Sequence, residues 1–434
     1  MNQSIVKNSL LTFGTRLMMF VLQGLNGLLL ARLLGPAGRG QYALLILVPS
    51  VATVIFNFGV SSANAYFVSS GRVKAEKMLG ISLLLTVILG GSGILLMNVL
   101  APVYWKLYPT VSHPLFRVVS VGVFFMLLFN YIITIFQGRT DFRRFNGMNV
   151  LNPLIFLLAF LGLVIVFQLN LRGAVIAFLS GYAAAALAGL VVLLKTVRPD
   201  FRISGPDVKK LFGFSAHVAV GEIVTFLNYR FDMFLVGYFL SPKAVGFYAV
   251  AVLIAETLWY LSSSVGNVLL PSFGSMDKDA RAALLQKTLH HILWISIFMI
   301  LILFLTDKWI INSLFGRAFL PSVTALRGLY FGVIALSLAK IISSYILAEG
   351  KPNVTKNIAI AGFTLNILLN IWWIPKIGIL GAALASSIAY AVMAGFDFYW
   401  LKRNIRMNWK LIMIPSMDDF RFYKNLLSGS RGMR

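Results

Sequence analysis

The sequence predicts an all-α polytopic membrane protein of about 12 transmembrane helices, in two six-helix lobes related by pseudo-two-fold symmetry along the membrane normal, with a central cavity between them. Three observations carry this. The 434 residues are 59% hydrophobic and 12% charged, with a mean hydropathy of +0.85, more apolar surface than a chain folding in water can hide. Apolar runs of bilayer-spanning length recur along the chain. A short turn sequence appears twice, about two hundred residues apart.

Taken in order, the apolar runs fall near residues 9–30, 42–66, 78–101, 115–137, 147–167, 173–194, 211–239, 244–270, 286–306, 322–347, 355–373 and 379–400. The first, preceded by Lys7, has the start of a signal peptide but no prompt small-residue cleavage site, and is read as an uncleaved span. Lys and Arg set the orientation of the rest. An N-terminus on the inside places 25 of the 38 basic residues inside, including Arg72, Lys74, Lys77, Arg139, Arg143, Arg144, Lys195 and Arg198, with ten outside and Arg16, Arg230 and Lys340 within spans. Both termini are therefore expected in the cytoplasm. Residues 1–200 form the N-terminal lobe, 201–402 the C-terminal lobe, and 403–434 a basic, partly amphipathic tail at the membrane surface.

The excess of 38 Lys and Arg over 14 Asp and Glu is scattered between apolar spans, so it points to anionic headgroups and not to nucleic acid. With no cysteine, the chain has no disulfide, thiolate metal site or Cys nucleophile. Asp277 to Asp279 (DKD) reads as a helix start, and His290 and His291 lack a third metal ligand. His217 could relay a proton to Glu222, although a satisfied buried histidine is the commoner case. No Walker motif or catalytic triad is visible, and no cofactor or metal is expected. Energy must come from a gradient or a partner.

The repeat pairs "LLGPAGRGQYAL" at 33 with "FLSPKAVGFYAV" at 239, matching Pro36 with Pro242, Gly40 with Gly246 and Tyr42 with Tyr248 at an offset of 206. The glycines and arginine of the first copy suggest a phosphate cradle, but it lacks a preceding strand and the Lys-Ser/Thr pair, so it reads as a helix-to-helix turn. Gly38 and Arg39, absent from the second copy, are read as incidental to that turn. A second match, "RGAVIAFLSGYAAAA" at 172 with "LGAALASSIAYAVMA" at 380, has an offset of 208. Six is even, so the two halves run in the same direction through the membrane.

At about 100° per residue, Thr12, Arg16, Met19, Gln23 and Asn26 share one face of the first span, and Ser50, Thr53, Asn57, Ser61 and Asn64 one face of the second. Glu222, Thr225, Tyr229 and Asp232 line one side of the seventh, and Glu256, Tyr260, Ser263 and Asn267 of the eighth. Shifting the first stripes by 206 lands on the second, carrying Arg16 to Glu222, Asn26 to Asp232 and Ser50 to Glu256. Ionisable groups facing lipid cost at least about 2.5 kcal/mol at the bilayer centre. A hydrated cavity walled by helices 1, 2, 7 and 8 is therefore expected, with small polar residues as helix-to-helix glue the competing reading. Arg230, on the far side of its helix from Asp232, is expected to bind another helix or to snorkel outward, and Lys340 is a second candidate cavity cation, with a structural pair with a carboxylate the equal alternative.

Two six-helix halves, opened by "LLARLLGPAGRGQYALLIL" and "NYRFDMFLVGYFLSPKAVGFYAVA", resemble the bacterial polysaccharide flippases, the O-antigen and exopolysaccharide branch of the multidrug/oligosaccharidyl-lipid/polysaccharide exporter superfamily. The resemblance implies a non-enzymatic transporter that moves an undecaprenyl-pyrophosphate-linked oligosaccharide from the cytoplasmic to the periplasmic leaflet by alternating access. It implies membrane lipids, a polysaccharide polymerase and glycosyltransferases as partners. On that reading Arg16, Lys340 and Arg230 meet the pyrophosphate or acidic sugars. Gln23, Asn26, Asn57, Tyr229, Tyr260 and Asn267 contact the glycan. Glu222, Asp232 and Glu256 are candidates for proton or sodium coupling or for charge pairing, Glu222 with Arg16. The rivals are a cation-coupled multidrug antiporter and a lipid II flippase of the same superfamily, and a membrane-embedded glycan polymerase or ligase.

Overall fold

A computed structural model describes residues 3–202, 204–405 and 410–414, with side chains described from residue 14 onward except at 217, 260, 261, 267, 271 and 275. Among the described residues every regular element is helical. In the first half, α1 (Gln3–Asn57) continues past a break into α2 (Val60–Ser69). Next, α3 (Ala75–Leu85) and α4 (Gly91–Leu107) make one crossing through a π turn, and α5 (His113–Ser120) and α6 (Gly122–Gly138) make another. They are followed by α7 (Phe142–Phe160) and α8 (Asn170–Leu194). The second half holds α9 (Gly205–Phe239), α10 (Pro242–Ser275), α11 (Lys278–Ile310), α12 (Ser322–Ala348), α13 (Pro352–Ile377), α14 (Ile379–Asn404) and the short α15 (Lys410–Met413).

Local chemistry sets these boundaries. Asp141, Ser241 and Asp277 each accept the amide three residues on, capping α7, α10 and α11. Ser204 and Asp207 form a capping box at α9, and prolines open α9, α10 and α13. Asp277 thus caps a helix, as its motif suggested.

Among the described residues ten helices are long and apolar enough to cross a membrane, and α9, bent by 41° between Ala216 and Val218, makes eleven. The twelfth lies inside α1, which is non-helical at Gly35 (φ 65, ψ 178), with Pro36 starting the second arm. Its two arms descend together from that point. Asn26 on the first donates to the Pro153 carbonyl, and the ring of Tyr42 on the second sits 6.5 Å from Phe156, one turn further along α7. Unpartnered apolar side chains such as Leu305, Phe167 and Val268 cover the outside, as lipid requires.

Each half packs mainly on itself, through α7 against α8, α6 against α8, α10 against α12, and α12 against α14. The halves meet where α1 lies along α10 and α9, and where α2 touches α9. We call the side where α1 begins the N-terminal face and the side of the Gly35 bend the far face. Residues 410–413 dock on the second half, with Ile412 buried and its carbonyl 3.0 Å from Nδ1 of His290. This part of the tail is packed against helices through Ile412, with Leu411, Met413 and Ile414 exposed. The tail's remaining residues, 406–409 and 415–434, lie outside the described residues.

Candidate functional site

At the far face the two copies of the repeated turn press against each other. A Cβ on Gly40 would lie 1.6 Å from the Pro242 carbonyl oxygen, and one on Gly246 would lie 1.9 Å from that of Pro36. The contact is reciprocal, residue for residue at the offset of 206, and only hydrogen side chains let the two backbones meet so closely. Arg32 donates to the Ser313 and Leu314 carbonyls, and the Tyr108 hydroxyl donates to the Phe234 carbonyl at 2.9 Å, extending the seal.

Side chains join the halves at the N-terminal face. Ser62 Oγ donates to Glu222 at 2.6 Å, and Asn57 Nδ2 approaches the other carboxylate oxygen at 3.4 Å. Asn57 Oδ1 in turn accepts from Ser61. Tyr66 stacks on Phe214 with ring centroids 4.7 Å apart, Phe58 meets Phe212, and Lys77 Nζ lies 2.5 Å from Asp207. Glu222 therefore faces the second span and α2, and its expected pairing with Arg16 is not made. Arg16 is half-buried on the first arm of α1 with no ion pair among the described residues.

Beside this latch lies a cavity of about 1140 Å³, bounded by Thr53, Asn57 and Asn130 of the first half and by Glu222, Tyr229 and Lys356 of the second. Its walls are the second arm of α1, α6, α9 and α13. Helices 1 and 8 were expected among them. Instead they close on one another, since the reciprocal turns hold α1 along α10, with Gly27 against Leu253. Asn26 is buried against α7 inside the first half, a glue contact and not a cavity residue, and Gln23 is exposed. The side chains of Tyr260, Asn267 and His217 lie outside the described residues.

Tyr229 links this cavity to a charged, aromatic pocket in the second half. Arg230, on α9, pairs with Glu256 of α10, Nη1 to Oε1 at 3.0 Å. Lys340 Nζ stands 4.8 Å from the ring of Trp259 and 5.2 Å from that of Tyr229, and Tyr390 flanks both rings. Such a cation is held by the ring faces. Arg39 enters from the repeated turn, its guanidinium 5.8 Å from the Tyr42 ring, within electrostatic reach of Arg230 and Glu256, with Nε buried and without a hydrogen-bond partner. Lys340 also feels the Glu256 charge. Three cations thus surround one carboxylate, and far from being incidental, Arg39 is one of them. Trp259 and Tyr390 are apolar-looking in sequence and Arg39 sat in a turn, so only the spatial arrangement exposes them.

Asp232 is buried and belongs to the second half alone. It accepts from the Tyr248 hydroxyl at 2.5 Å, its neighbour's amide Met233 N at 2.8 Å and Ser386 Oγ at 3.3 Å. Ser386 also receives Asn366 Nδ2, and Asn370 donates to Asn366. A void of about 20 Å³ between Asp232, Glu256, Tyr248 and Ser386 has room for one water or small ion. Among the described residues no group of three His, Cys, Asp or Glu is placed to hold a metal.

A family model described as a polysaccharide biosynthesis protein matches residues 29–324. A membrane protein of Methanocaldococcus jannaschii is 26% identical over 335 residues, 71% of this chain and 65% of that protein. A Shigella flexneri protein named for O-antigen transport is 27% identical over 243 residues, 52% of this chain and 58% of its own length. The chain spans less than two thirds of the length of these relatives. A solved structure of the lipid II flippase MurJ in an inward closed conformation has the same fold, with a TM-score of 0.79 at 19% identity over 99% of this chain and 94% of that one.

Proposed function

Because the chain belongs to the polysaccharide biosynthesis protein family, we propose that it is a flippase, not an enzyme, that translocates an undecaprenyl-pyrophosphate-linked oligosaccharide from the cytoplasmic to the outer leaflet for surface polysaccharide assembly. The observation that supports this best is the surplus of cations in the pocket that Tyr229 joins to the cavity, where Arg39, Arg230 and Lys340 outnumber Glu256 and Asp232. In a site of low effective dielectric a surplus positive charge attracts a diphosphate strongly, and arginines match its oxygens in bidentate fashion. Tyr229, Trp259 and Tyr390 offer ring faces to a sugar, and Asn57 lies at the cavity's edge. The same surplus opposes a cationic drug, which disfavours the antiporter reading.

The N-terminal face is the cytoplasmic one on the Lys and Arg distribution, and the flippase reading places the chain in a bacterial inner membrane. The lobes, residues 1–200 and 201–402, rock against each other. The latch at Glu222 opens to load, and the reciprocal turns part to release. Asp232 is the acid through which a proton or sodium gradient biases this exchange, while Glu222 acts at the latch and Glu256 as charge partner. Arg16 and Gln23 would meet the substrate only when the first arm of α1 is uncovered. Glycosyltransferases supply the substrate and a polymerase consumes it.

The test is flipping of a fluorescent undecaprenyl-pyrophosphate oligosaccharide in proteoliposomes. Wild-type protein should move it, and Arg230→Gln or Lys340→Gln should slow it at least tenfold. Wild-type rates in both variants would remove the cationic pocket from the mechanism, and movement of lipid II in preference to the oligosaccharide would favour that rival.

A further inference from the structure

A second pocket, of about 550 Å³, lies one helical turn closer to the N-terminal face than the main cavity, between α2, α6 and the start of α7. The two are in line. Asn57 and Asn130 border the cavity, while Ser61 and Thr134, each four residues further on, border the pocket. Between them stands the latch of Asn57, Ser61, Ser62 and Glu222. The pocket's volume is that of a small-molecule site. Ser61, Ser62, Ser69, Thr134, Gln137 and Thr140 line it, with Tyr66, and no charged side chain does.

The serine and threonine hydroxyl protons of this lining already have acceptors. Ser69 donates to the Tyr66 carbonyl at 3.2 Å, Thr134 to Asn130 at 2.7 Å and Thr140 to Arg139 at 2.7 Å. Ser61 donates to Asn57 Oδ1 at 2.7 Å and Ser62 to Glu222. The hydroxyls therefore present lone pairs to the pocket. Lone pairs repel a phosphate, which has only acceptors to offer, and suit a ligand rich in O–H donors and without charge. The geometry points to a binding site for a neutral saccharide, the sugar residues of the lipid-linked substrate, held at the cytoplasmic leaflet before the headgroup enters the main cavity. This rests on the flippase reading above and divides the headgroup's chemistry: sugar at the hydroxyl pocket, diphosphate at the cationic one. Ser61 and Ser62 serve both pocket and latch, so sugar hydroxyls bound there compete with the bonds that hold α2 to α9.

The absence of cysteine from the chain makes the test direct. Gln137→Cys, exposed at the pocket, is labelled with a maleimide in full-length protein in nanodiscs, and Arg198→Cys, exposed in a loop, reports any general solvent effect. Maltose is expected to slow labelling at residue 137 at least threefold relative to residue 198, with inorganic phosphate without effect. Thr134→Val combined with Ser69→Ala should abolish the protection, and Thr134→Ser, which keeps the hydroxyl, should retain it. No protection by maltose, equal protection by phosphate, or protection that survives loss of both hydroxyls would each overturn the assignment. Arg230→Gln separates the two readings. Protection that persists in this variant while flipping is lost supports the pocket as a separate sugar site, and flipping by the wild type without maltose protection sinks the pocket alone.

Discussion

Glu256 holds two formal roles at once, as partner of Arg230 and as the single negative charge facing Lys340 and Arg39. The Arg230 and Glu256 side chains keep 34% and 24% of their exposure, so the pair is reachable by water and its removal should disturb binding more than folding. Arg39→Gln is expected to lower flipping about tenfold with little change in thermal stability, read by proteoliposome transport alongside a melting curve. Unaltered transport would mean that its charge serves only the turn. Asp232→Asn should leave basal flipping measurable while abolishing its response to an imposed proton or sodium gradient, and a retained response would move the coupling acid elsewhere. The sequence singled out Arg230, Asp232, Glu256 and Lys340 because charges inside apolar spans are conspicuous. It missed Arg39, since a cation beside three glycines reads as part of a solvated turn. It paired Arg16 with Glu222 through the repeat, but equivalent positions in two halves lie across the pseudo-two-fold axis and need not touch.

At the level of elements, α1 does the most to shape the molecule. Gly35 in the left-handed region lets two spans meet at one residue, and a side chain there strains the backbone by about 1 kcal/mol or more. The reciprocal contact is more demanding. Gly40→Ala would drive a methyl into the Pro242 carbonyl, costing about 1–3 kcal/mol as overpacking. Spin labels on the two lobes at the far face should then report a longer distance, and an unchanged distance would show that the turns do not set the seal. The spans and their turns were legible because apolar length and Pro-Gly punctuation are local signals. Which spans wall the cavity was not. The stripes gave directions around each helix axis, but the pairing of α1 with α10 depends on contact between two remote turns.

For the molecule as a whole, the halves are joined at the two faces by different means, main chain at one and side chains at the other. Hydrogen bonds and ring stacks each contribute about 1 kcal/mol, so the latch can exchange partners without unfolding either half. A reversible disulfide between cysteines replacing Tyr66 and Phe214, whose rings are stacked, should stop flipping and release it on reduction. Transport that continues with the bridge formed would rule out separation of the lobes at this face. The six-and-six architecture was legible from the repeat and the even helix number, whereas the joining of the halves at the N-terminal face rests on contacts between residues some 160 positions apart, such as Ser62 and Glu222.

The meeting of Gly40 with Pro242 and of Gly246 with Pro36 is an isologous contact, the same patch used twice about a two-fold axis. That is how two identical subunits recognise one another. At its far face the single chain therefore makes the kind of contact by which two parallel six-helix subunits would pair, while Arg39 in one half and the Asp232 network in the other are asymmetries that only a covalent pair, whose halves need not be identical, can carry.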